Sequence, residues 1–387
     1  PAPTAARPHV DYSLEVVAIY PGPPPLAKDP RFDGFRRNWL NIFQLSPSRR
    51  ALANNAASDV CAITVYEYSA VAERTPPLAA GLTALDLIRE TLDRYLGGMK
   101  GCGLVGYTPV DPTLHYDYLD SYPSLLIAAS DYVHGSNDEA WLKKNYAGIK
   151  VWTAKLLAMD KDDDGLVEYP KSGNSGTWDK KFSRHAANWW DTIGFGHKDA
   201  YSNALAYHAL LGMADLAKRA GQPQDARLYA SRAAKLRSIY FKTFYNPATG
   251  VLAGWKSADG KLHDYYFTFV NGMAITYGLV PPNKANQIMD HLLVKMKQVG
   301  YTHFEYGLPG NLTFVPDYDY LEPRPSYGGG GSKGFQNYEN GGATACFAYY
   351  TIKALYQLGR RKEADTILFP MLRGFEAGGF QGRDSHD

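Results

Sequence analysis

Hydrophobic positions along most of this chain recur at intervals of three and four residues, which predicts a largely helical protein. The stretch LTALDLIRETLDRYLGG is one example, since its leucines and isoleucine fall on one face. Thr83 and Asp86 suit the first turn of such a helix, and the two glycines suit its end. We therefore predict an amphipathic helix from Thr83 onward.

Four pairs of helical stretches follow, each joined by a short polar turn. In order, they are SYPSLLIAASDYVHGS with EAWLKKNYAGIKVWTAKLLAMD, DAYSNALAYHALLGMADLAKRA with DARLYASRAAKLRSIYFKTFY, VNGMAITYGLV with KANQIMDHLLVKMKQV, and ATACFAYYTIKALYQL with KEADTILFPMLRGF. The first member of each pair is apolar on most sides, whereas the second carries a charged face. A helix that is apolar all round is buried, so we predict an inner ring of helices wrapped by an outer ring.

The connections between the pairs are long, although the turns inside them are short. In a ring of antiparallel hairpins, each long connection runs from the end of an outer helix to the start of the next inner helix. All of them must therefore emerge at the same pole. Long loops in a compact domain are usually functional, so we expect the chemistry at that pole.

The first part of the chain is less regular. We predict a proline-rich tail over residues 1–30 and one all-α toroid of (α/α)6 type, with minor β-structure in its loops, over residues 31–387. FRRNWLNIFQL, from Phe35 to Leu45, is predicted as a first short helix, and AITVYEYSAV has the composition of a strand. Counting that first helix, five hairpins are evident. Either a sixth is missing from this sequence or the ring closes differently.

Charge and composition exclude several classes of function. The 41 Lys and Arg residues nearly balance the 39 acids without a basic run, which argues against nucleic-acid binding. Three scattered cysteines and no CxxC argue against a metal cage or a disulfide framework. No apolar run reaches the length of a membrane span, and no signal peptide is evident. The compartment and the oligomeric state stay open, with a secreted or periplasmic location favoured over a cytoplasmic one.

Aromatic residues and carboxylates alternate in the long loops, as in NWWDTIGFGHK before the helix at Asp199. Trp189 and Trp190 offer flat apolar faces for a pyranose ring, and Asp191 follows them directly. An apolar neighbour raises the pKa of a carboxyl group. Both tryptophans could instead belong to the core, with Asp191 as a turn residue.

Two carboxylates are the candidate catalytic pair. Glu339 lies just ahead of the helix at Ala343, where the helix dipole favours an ionised carboxylate and hence a general base. Asp191 lies outside the reach of its own helix and beside tryptophan, which suits a general acid. Glycosidic cleavage uses two carboxyls with such contrasting environments, about 6.5 to 9.5 Å apart when the configuration inverts.

Further residues of the same loops are predicted to bind substrate. Asp117 and Asp120 are expected to contact sugar hydroxyls, and Glu305 is a reserve base. A cation such as Lys198 in a first helical turn opposes the dipole, so it is expected to pair with Asp199 or Asp191 or to touch substrate. The complete predicted binding set is Trp189, Trp190, Tyr116, Asp117, Asp120, His197, Lys198, Glu305, Tyr338 and Asn340.

The acidic run DKDDDGLVE resembles a calcium loop only in part. Asp160, Asp162, Asp164 and Gly165 have the spacing of an EF-hand, but the twelfth position is Lys171 instead of glutamate. We predict no cofactor and no metal. Structural calcium at this run is the weaker alternative to a solvated turn.

Several phrases resemble one known group of enzymes. They are DKDDDGLVEY, WWD, YSNALAYHALLGMADLAKRAG, and YENGG ahead of ATACFAYYTIKALYQLG. The chain, from about Phe35, is similar to the six-hairpin (α/α)6-barrel glycosidases, which include glucoamylases, trehalases, glycogen-debranching glucosidases and α-L-rhamnosidases. The resemblance implies glycoside hydrolysis, commonly with inversion, by an acid and a base on loops at one end of the barrel. It implies Asp191 as the acid and Glu339 as the base.

We therefore predict an exo-acting, inverting glycoside hydrolase with an oligosaccharide or glycoside substrate. A polysaccharide lyase or sugar epimerase is the first alternative, because such enzymes also use helical toroids and rely on Tyr and His. His115, His197, His263 and Tyr266 lie in the converging loops. A glycan-binding protein without catalytic activity is the second alternative.

Overall fold

The chain forms five helical hairpins in the part that its computed structural model describes. The described residues are 30–32, 44–46, 48–54, 60–75, 77–78, 80–101, 104, 117–169, 172–176 and 185–377. Their α-helices are α1 (Ala62–Ala72), α2 (Ala84–Leu96), α3 (Ser121–Ser136), α4 (Glu139–Leu157), α5 (Ala200–Arg219), α6 (Pro223–Phe244), α7 (Thr268–Thr276), α8 (Pro282–Gln298), α9 (Ala345–Gln357) and α10 (Arg361–Glu376). Consecutive helices pair as α1–α2 through α9–α10.

The odd-numbered helices form an inner ring, and the even-numbered helices lie outside it. α3 buries 12 of its 16 residues, whereas its partner α4 buries 7 of 19. Each inner helix packs on the next, from α1 to α3 and onward to α9. The hydroxyl of Tyr66 on α1 forms a hydrogen bond with that of Tyr350 on α9, which joins the two ends of the ring. The predicted inner and outer arrangement is confirmed.

Local sequence signals set the helix ends. Thr83 and Asp86 form a reciprocal capping box at the start of α2. Asn137 adopts a left-handed conformation at the end of α3, and Asp138 accepts a hydrogen bond from the Trp141 N–H at the start of α4. These two residues turn the chain within the space of one short loop, as the GSND turn predicts.

The prediction for AITVYEYSAV is wrong, because this segment is helix α1. Its β-branched and aromatic residues favour a strand by propensity alone. Ile63, Val65 and Tyr66 are instead buried against α2 and α3, and tertiary packing of this kind overrides propensity. Of the helix predicted from Phe35 to Leu45, residues 35–43 lie outside the described part of the chain, and Leu45 begins strand β1.

Among the described residues, nine two-residue strands lie in the loops between helices. They are β1 (Leu45–Ser46), β2 (Ala51–Leu52), β3 (Lys198–Asp199), β4 (Tyr245–Asn246), β5 (Val251–Leu252), β6 (Trp255–Lys256), β7 (Leu262–His263), β8 (Leu308–Pro309) and β9 (Ala343–Thr344). β3, β6 and β7 form one antiparallel sheet in the order β3-β6-β7, and the others pair as β1–β2, β4–β5 and β8–β9. The β3–β6 and β8–β9 pairs connect segments that are far apart in sequence. The β3–β6 pair therefore holds the loop before α5 to the loop before α7, whereas the β8–β9 pair joins two parts of the single loop before α9.

Within the described ranges, no helix combines the length and the apolar character that crossing a bilayer requires.

Candidate active site

The loops before α3, α5, α7 and α9 lie together, as the hairpin topology predicts. We name each loop by the helices that it joins. The Leu119 N–H of the α2–α3 loop donates to Ala187 O of the α4–α5 loop at 2.8 Å. The Thr268 N–H at the start of α7 donates to Gly310 O of the α8–α9 loop at 3.0 Å. These hydrogen bonds place the long loops at one pole.

Asp191 stands at the end of a short antiparallel pairing between the α4–α5 and α8–α9 loops. Ile193 forms a β-bridge with Tyr320. The Leu321 N–H donates to Thr192 O at 2.7 Å, on the side of the bridge nearer Asp191. The backbone at Asp191 is thereby fixed to a loop that arrives from the opposite side of the ring.

Glu339 is brought to the same place by direct hydrogen bonds from the residue after Asp191. The Thr192 N–H donates to Glu339 Oε2 at 2.9 Å, and the Thr192 hydroxyl donates to the same oxygen at 2.5 Å. Glu339 is 9% exposed. Its neighbour Tyr338 has a positive φ of 46°, a left-handed conformation uncommon for a side chain of this size.

The carboxyl groups of Asp191 and Glu339 interact electrostatically. Burial and then the charge of Glu322 raise the pKa of Asp191 to about 7. Burial and then the charge of Asp191 raise the pKa of Glu339 well above its ordinary value. Two interacting carboxyls with raised pKa values retain a proton between them near neutral pH.

Hydrogen bonding makes the two carboxyls unequal. Glu339 accepts hydrogen bonds from the Thr192 N–H and hydroxyl, and these hydrogen bonds favour its ionised form. The Oδ1 atom of Asp191 is buried and has no hydrogen-bond partner in the described part of the chain. The shared proton is therefore better placed on Asp191, and the negative charge on Glu339.

The physical reason given for an ionised Glu339 requires correction. The sequence predicts that the dipole of the following helix lowers its pKa, but burial and the nearby Asp191 raise it instead. Helix α9 begins only at Ala345, six residues later. The hydroxyl and backbone N–H of Thr192, and not the helix terminus, favour a negative charge on Glu339.

Trp190 belongs to the core and not to a sugar-binding surface. It is 1% exposed. Its ring stacks on Phe269 of α7 at 4.1 Å between centroids and lies 4.6 Å from that of Phe347 on α9. Because both neighbours occupy its faces, the predicted stacking of Trp190 on substrate is wrong, and the core interpretation holds. Trp190 instead fixes the chain directly before Asp191.

Trp189 is partly exposed, so its predicted contact with substrate stays a prediction. Its backbone N–H donates to Asp120 Oδ2 at 2.8 Å. Asp120 is 2% exposed, and burial raises its pKa to about 8. Asp120 is therefore too buried to bind a sugar hydroxyl, and its hydrogen bond instead supports the Trp189 backbone.

The other two residues predicted in this loop have different outcomes. Asp117 accepts a hydrogen bond from the Tyr122 hydroxyl, and Tyr116 lies outside the described residues.

The predicted roles of Lys198 and His197 at the substrate are corrected by their partners. Lys198 Nζ lies 2.6 Å from Asp162 Oδ2 and 2.5 Å from Asp164 Oδ2, in the acidic run. His197 Nε2 lies 3.0 Å from Glu168 Oε2. Lys198 is a buried cation at the start of α5, where the helix dipole disfavours positive charge. It is stable there because carboxylates outside the helix compensate its charge.

The acidic run could in principle hold a cation, since one oxygen from each of Asp160, Asp162 and Asp164 lies within 4.8 Å of the others. The ammonium group of Lys198 already contacts two of these three carboxylates. The chain therefore supplies its own positive charge at this turn, and the arrangement gives no support to calcium.

Three other predicted residues have clear positions. The Asn340 amide is 0% exposed and bonds with Val315 and Gly328 of its own loop, so it is a structural residue and not a substrate ligand. Glu305 pairs with His303 and packs its backbone against α10, which removes it as a reserve base. Tyr338 is 45% exposed beside Glu339, and its contact with substrate stays a prediction.

Most of the residues proposed for a lyase are held in contacts with other side chains of the protein. His263 is 3% exposed, with Nδ1 at 2.7 Å from Asp319 Oδ2 and Nε2 at 3.0 Å from Ser257 Oγ. This has the connectivity of a nucleophilic triad, but Ser257 is 2% exposed and cannot meet a substrate. Asp319 also accepts a hydrogen bond from Asn174, so it anchors several loops.

Two further residues were proposed for a lyase. Tyr266 lies under the ammonium group of Lys295, and His115 is outside the described residues.

Two acidic residues of the site were missed. Glu322 lies in the phrase DYDYLEPRPSY, and its charge acts on Asp191. Glu67 lies in the segment mistaken for a strand, and burial raises its pKa to about 7. Its charge acts on Asp120 of the α2–α3 loop and on Cys346 of α9. A correct helix assignment for α1 would have pointed Glu67 into the ring.

Comparison with known proteins identifies the family of this chain. The model of the bacterial α-L-rhamnosidase six-hairpin glycosidase domain matches residues 122–316, about half of the chain. The chain belongs to this family. The matched range contains Asp191 and ends before Glu339, so the contact between Thr192 and Glu339 extends the site beyond it. A search of curated protein sequences finds no significant match.

Solved structures support the six-hairpin fold of this family member. A rhamnosidase from Klebsiella oxytoca with rhamnose bound aligns with a TM-score of 0.54 and 15% identity, over 90% of this chain and 56% of that one. A GH63 mannosylglycerate hydrolase from Thermus thermophilus in complex with Tris gives a TM-score of 0.53 and 11% identity, over 87% and 89% of the two chains. The chain thus spans just over half of the Klebsiella rhamnosidase. The predicted fold class and superfamily are confirmed.

Proposed function

We propose that this member of the six-hairpin glycosidase family is a glycoside hydrolase in which Asp191 is the general acid and Glu339 the general base. One observation carries the proposal. The two carboxyls come from different loops and both have a raised pKa, and the charge of Asp191 contributes to that of Glu339, yet only Glu339 accepts hydrogen bonds from Thr192. Such an asymmetric pair matches the chemistry of glycosidic cleavage.

In the proposed reaction, protonated Asp191 donates its proton to the glycosidic oxygen as the bond to the anomeric carbon breaks. Glu339 takes a proton from a water molecule that attacks the anomeric carbon from the opposite face. The products are the free alcohol and a sugar of inverted configuration. One proton leaves Asp191 and one reaches Glu339, so the site returns to its starting state by exchange with solvent.

The substrate class follows from the family. Its name and the rhamnose in the Klebsiella structure make an α-L-rhamnoside the first substrate to test. The mannosylglycerate hydrolase makes an α-mannoside the second. Exo action and a secreted or periplasmic location stay predictions.

The test is incubation with nitrophenyl α-L-rhamnoside, α-mannoside and α-glucoside, with the first-formed product anomer read by proton NMR. We expect hydrolysis of at least one glycoside with inversion. Asp191→Asn and Glu339→Gln should each reduce turnover on the order of a thousandfold while circular dichroism stays unchanged. Asp215→Asn on α5 and Glu363→Gln on α10 are matched controls, because both carboxylates lie on helices outside the loop pole and form ion pairs there.

Two results would contradict the proposal. Turnover that survives both Asp191→Asn and Glu339→Gln would remove this pair from the chemistry, and a product of retained configuration would remove the inverting mechanism. Formation of an unsaturated sugar that absorbs in the ultraviolet would favour the lyase. Affinity for glycans without turnover would favour the binding protein.

A further inference from the structure

Glu322 follows the short pairing between the α4–α5 and α8–α9 loops on the side where Asp191 lies. The antiparallel bridge joins Ile193 to Tyr320. In an antiparallel pairing, two steps back along one strand correspond to two steps forward along the other. Continued by two residues, the same register brings Glu322 toward Asp191, and the charge of Glu322 acts on the Asp191 carboxyl.

Glu322 is held firmly in this position. It is 7% exposed. Arg324 binds both of its carboxylate oxygens, with Nε at 2.8 Å from Oε1 and Nη2 at 2.8 Å from Oε2. A Cβ atom on Gly329 would lie 1.7 Å from the Glu322 carbonyl oxygen, so only glycine permits this close backbone packing. Gly329 of the glycine run 328–331 thus packs directly against the backbone of Glu322.

The charged and titratable groups that act on Asp191 can be named from the described residues. The carboxylates are Glu322 and Glu339, and the phenols are Tyr320 and Tyr338. No cation among the described residues pairs with Asp191 itself. The nearest described cation in this network is Arg324, which binds Glu322.

We propose that Glu322 is a positioning residue that keeps Asp191 protonated, and that Arg324 limits this effect by neutralising part of the Glu322 charge. The inference rests on the proposed function, because it assigns the means by which the general acid holds its proton. The negative charge of Glu322 penalises ionisation of Asp191. The guanidinium group weakens that penalty, and it is accessible, since 61% of the Arg324 side chain is exposed.

The two partners have opposite expected effects. Glu322→Gln removes that negative charge, so Asp191 loses its proton at lower pH. Arg324→Gln removes the neutralising partner, so Asp191 holds its proton to higher pH. Arg324→Lys keeps the positive charge and is the matched control, although it cannot reproduce the bidentate contact.

Two readouts separate this inference from the proposed function. The first is infrared titration of the carboxyl groups, in which the spectrum of the same protein carrying Asp191→Asn is subtracted to isolate the Asp191 signal. This measurement requires no turnover. The second is the alkaline limb of the kcat/KM profile on the nitrophenyl glycoside that the wild type hydrolyses. In Glu322→Gln, both midpoints should fall by roughly one pH unit, a tenfold loss of activity on that limb. In Arg324→Gln both should rise, and in Arg324→Lys both should shift less than in Arg324→Gln.

An unchanged Asp191 titration midpoint in folded Glu322→Gln would overturn the inference, whether or not a glycoside is hydrolysed. A fall in both Glu322→Gln and Arg324→Gln would also overturn it, because general disturbance of the loop would then explain both. If no glycoside is hydrolysed but the infrared midpoints move in opposite directions, the inference stands and the proposed function fails.

Discussion

The α4–α5 loop and the α6–α7 loop share one structural device but differ in what they hold. In the first, Val167 N–H donates to Asn203 Oδ1 at 2.8 Å, and the Asn203 amide returns a bond to Val167 O at 2.9 Å. In the second, Leu252 N–H donates to Asn271 Oδ1 at 2.8 Å, and the amide returns a bond to Leu252 O at 3.2 Å. Each asparagine is the fourth residue of its inner helix.

The difference lies in the polar side chains that the loops carry. Asp264 of the α6–α7 loop accepts from the Tyr266 N–H and from the Thr249 and Asn246 side chains, so both of its oxygens are used. Asp191 of the α4–α5 loop leaves Oδ1 buried without a described partner. Buried polar groups are nearly always satisfied, so an unsatisfied carboxyl oxygen marks the loop that is built to bind something else.

The largest expected effect is on turnover, and it should distinguish Asp191 from Asp264. Asp191→Asn should reduce turnover on the order of a thousandfold because it removes the proton donor. Asp264→Asn should lower the free energy of unfolding because it disturbs satisfied hydrogen bonds, and should leave turnover per folded molecule within about twofold. Steady-state kinetics and urea denaturation check both. Equal losses of turnover would show that the two loops do not differ in the way described.

Asp319 tests the connection between the loops. It accepts from His263 of the α6–α7 loop and from Asn174 of the α4–α5 loop and is 1% exposed. Asp319→Asn should lower the free energy of unfolding by about 3 kcal/mol, because an amide nitrogen would replace one of two buried oxygens that accept hydrogen bonds. Urea denaturation is the measurement. A loss below about 1 kcal/mol would mean that this network does not hold the loops together.

The paired asparagines should give matched, smaller effects. Asn203→Ala and Asn271→Ala each leave a buried backbone N–H and C=O unsatisfied, which should cost about 1 to 3 kcal/mol each. Asn283→Ala, at an exposed position of α8, is the control and should cost under about 0.5 kcal/mol. Thermal unfolding compares the three variants. A large loss at one asparagine with none at the other would break the equivalence of the two loops.

The pH dependence of stability should show the smallest effect. The native state holds a proton on Asp191 at pH values where the unfolded chain does not, because burial and then the charge of Glu322 raise its folded pKa to about 7. Stability from this group is therefore full below its unfolded pKa and is lost as pH rises toward the folded pKa.

Asp191→Asn should therefore unfold a few degrees above the wild type at pH 8, and the gap should close near pH 4. Scanning calorimetry at both pH values measures it. A variant that is less stable than the wild type at pH 8 would contradict the assigned direction of the Asp191 pKa.

Much of the fold could be predicted from periodicity. Four of the five hairpins follow from their hydrophobic patterns, and the convergence of the loops follows from antiparallel topology. Helix α1 could not be predicted this way, because AITVYEYSAV is short and rich in β-branched and aromatic residues. Its helical form depends on burial against α2 and α3, which no local pattern encodes.

The site was predictable in part, for a related reason. Asp191 and Glu339 stand out as acids in aromatic loops, but the partners of Lys198, His197 and Asn340 depend on contacts across the loops. The two tryptophans look alike in sequence, yet one has both faces covered by inner-helix phenylalanines. Which polar group is satisfied is a property of tertiary contacts, which the sequence pattern does not encode.

The central claim is that Asp191 donates the proton and Glu339 receives one. Its most direct test is leaving-group dependence, measured as kcat/KM for aryl glycosides of increasing phenol acidity in wild type, Asp191→Asn and Glu339→Gln. An acidic phenol needs no proton to leave, so the defect of Asp191→Asn should shrink steeply from nitrophenyl to dinitrophenyl glycoside, while the defect of Glu339→Gln stays constant. A constant defect in Asp191→Asn, or a shrinking defect in Glu339→Gln, would contradict the assignment.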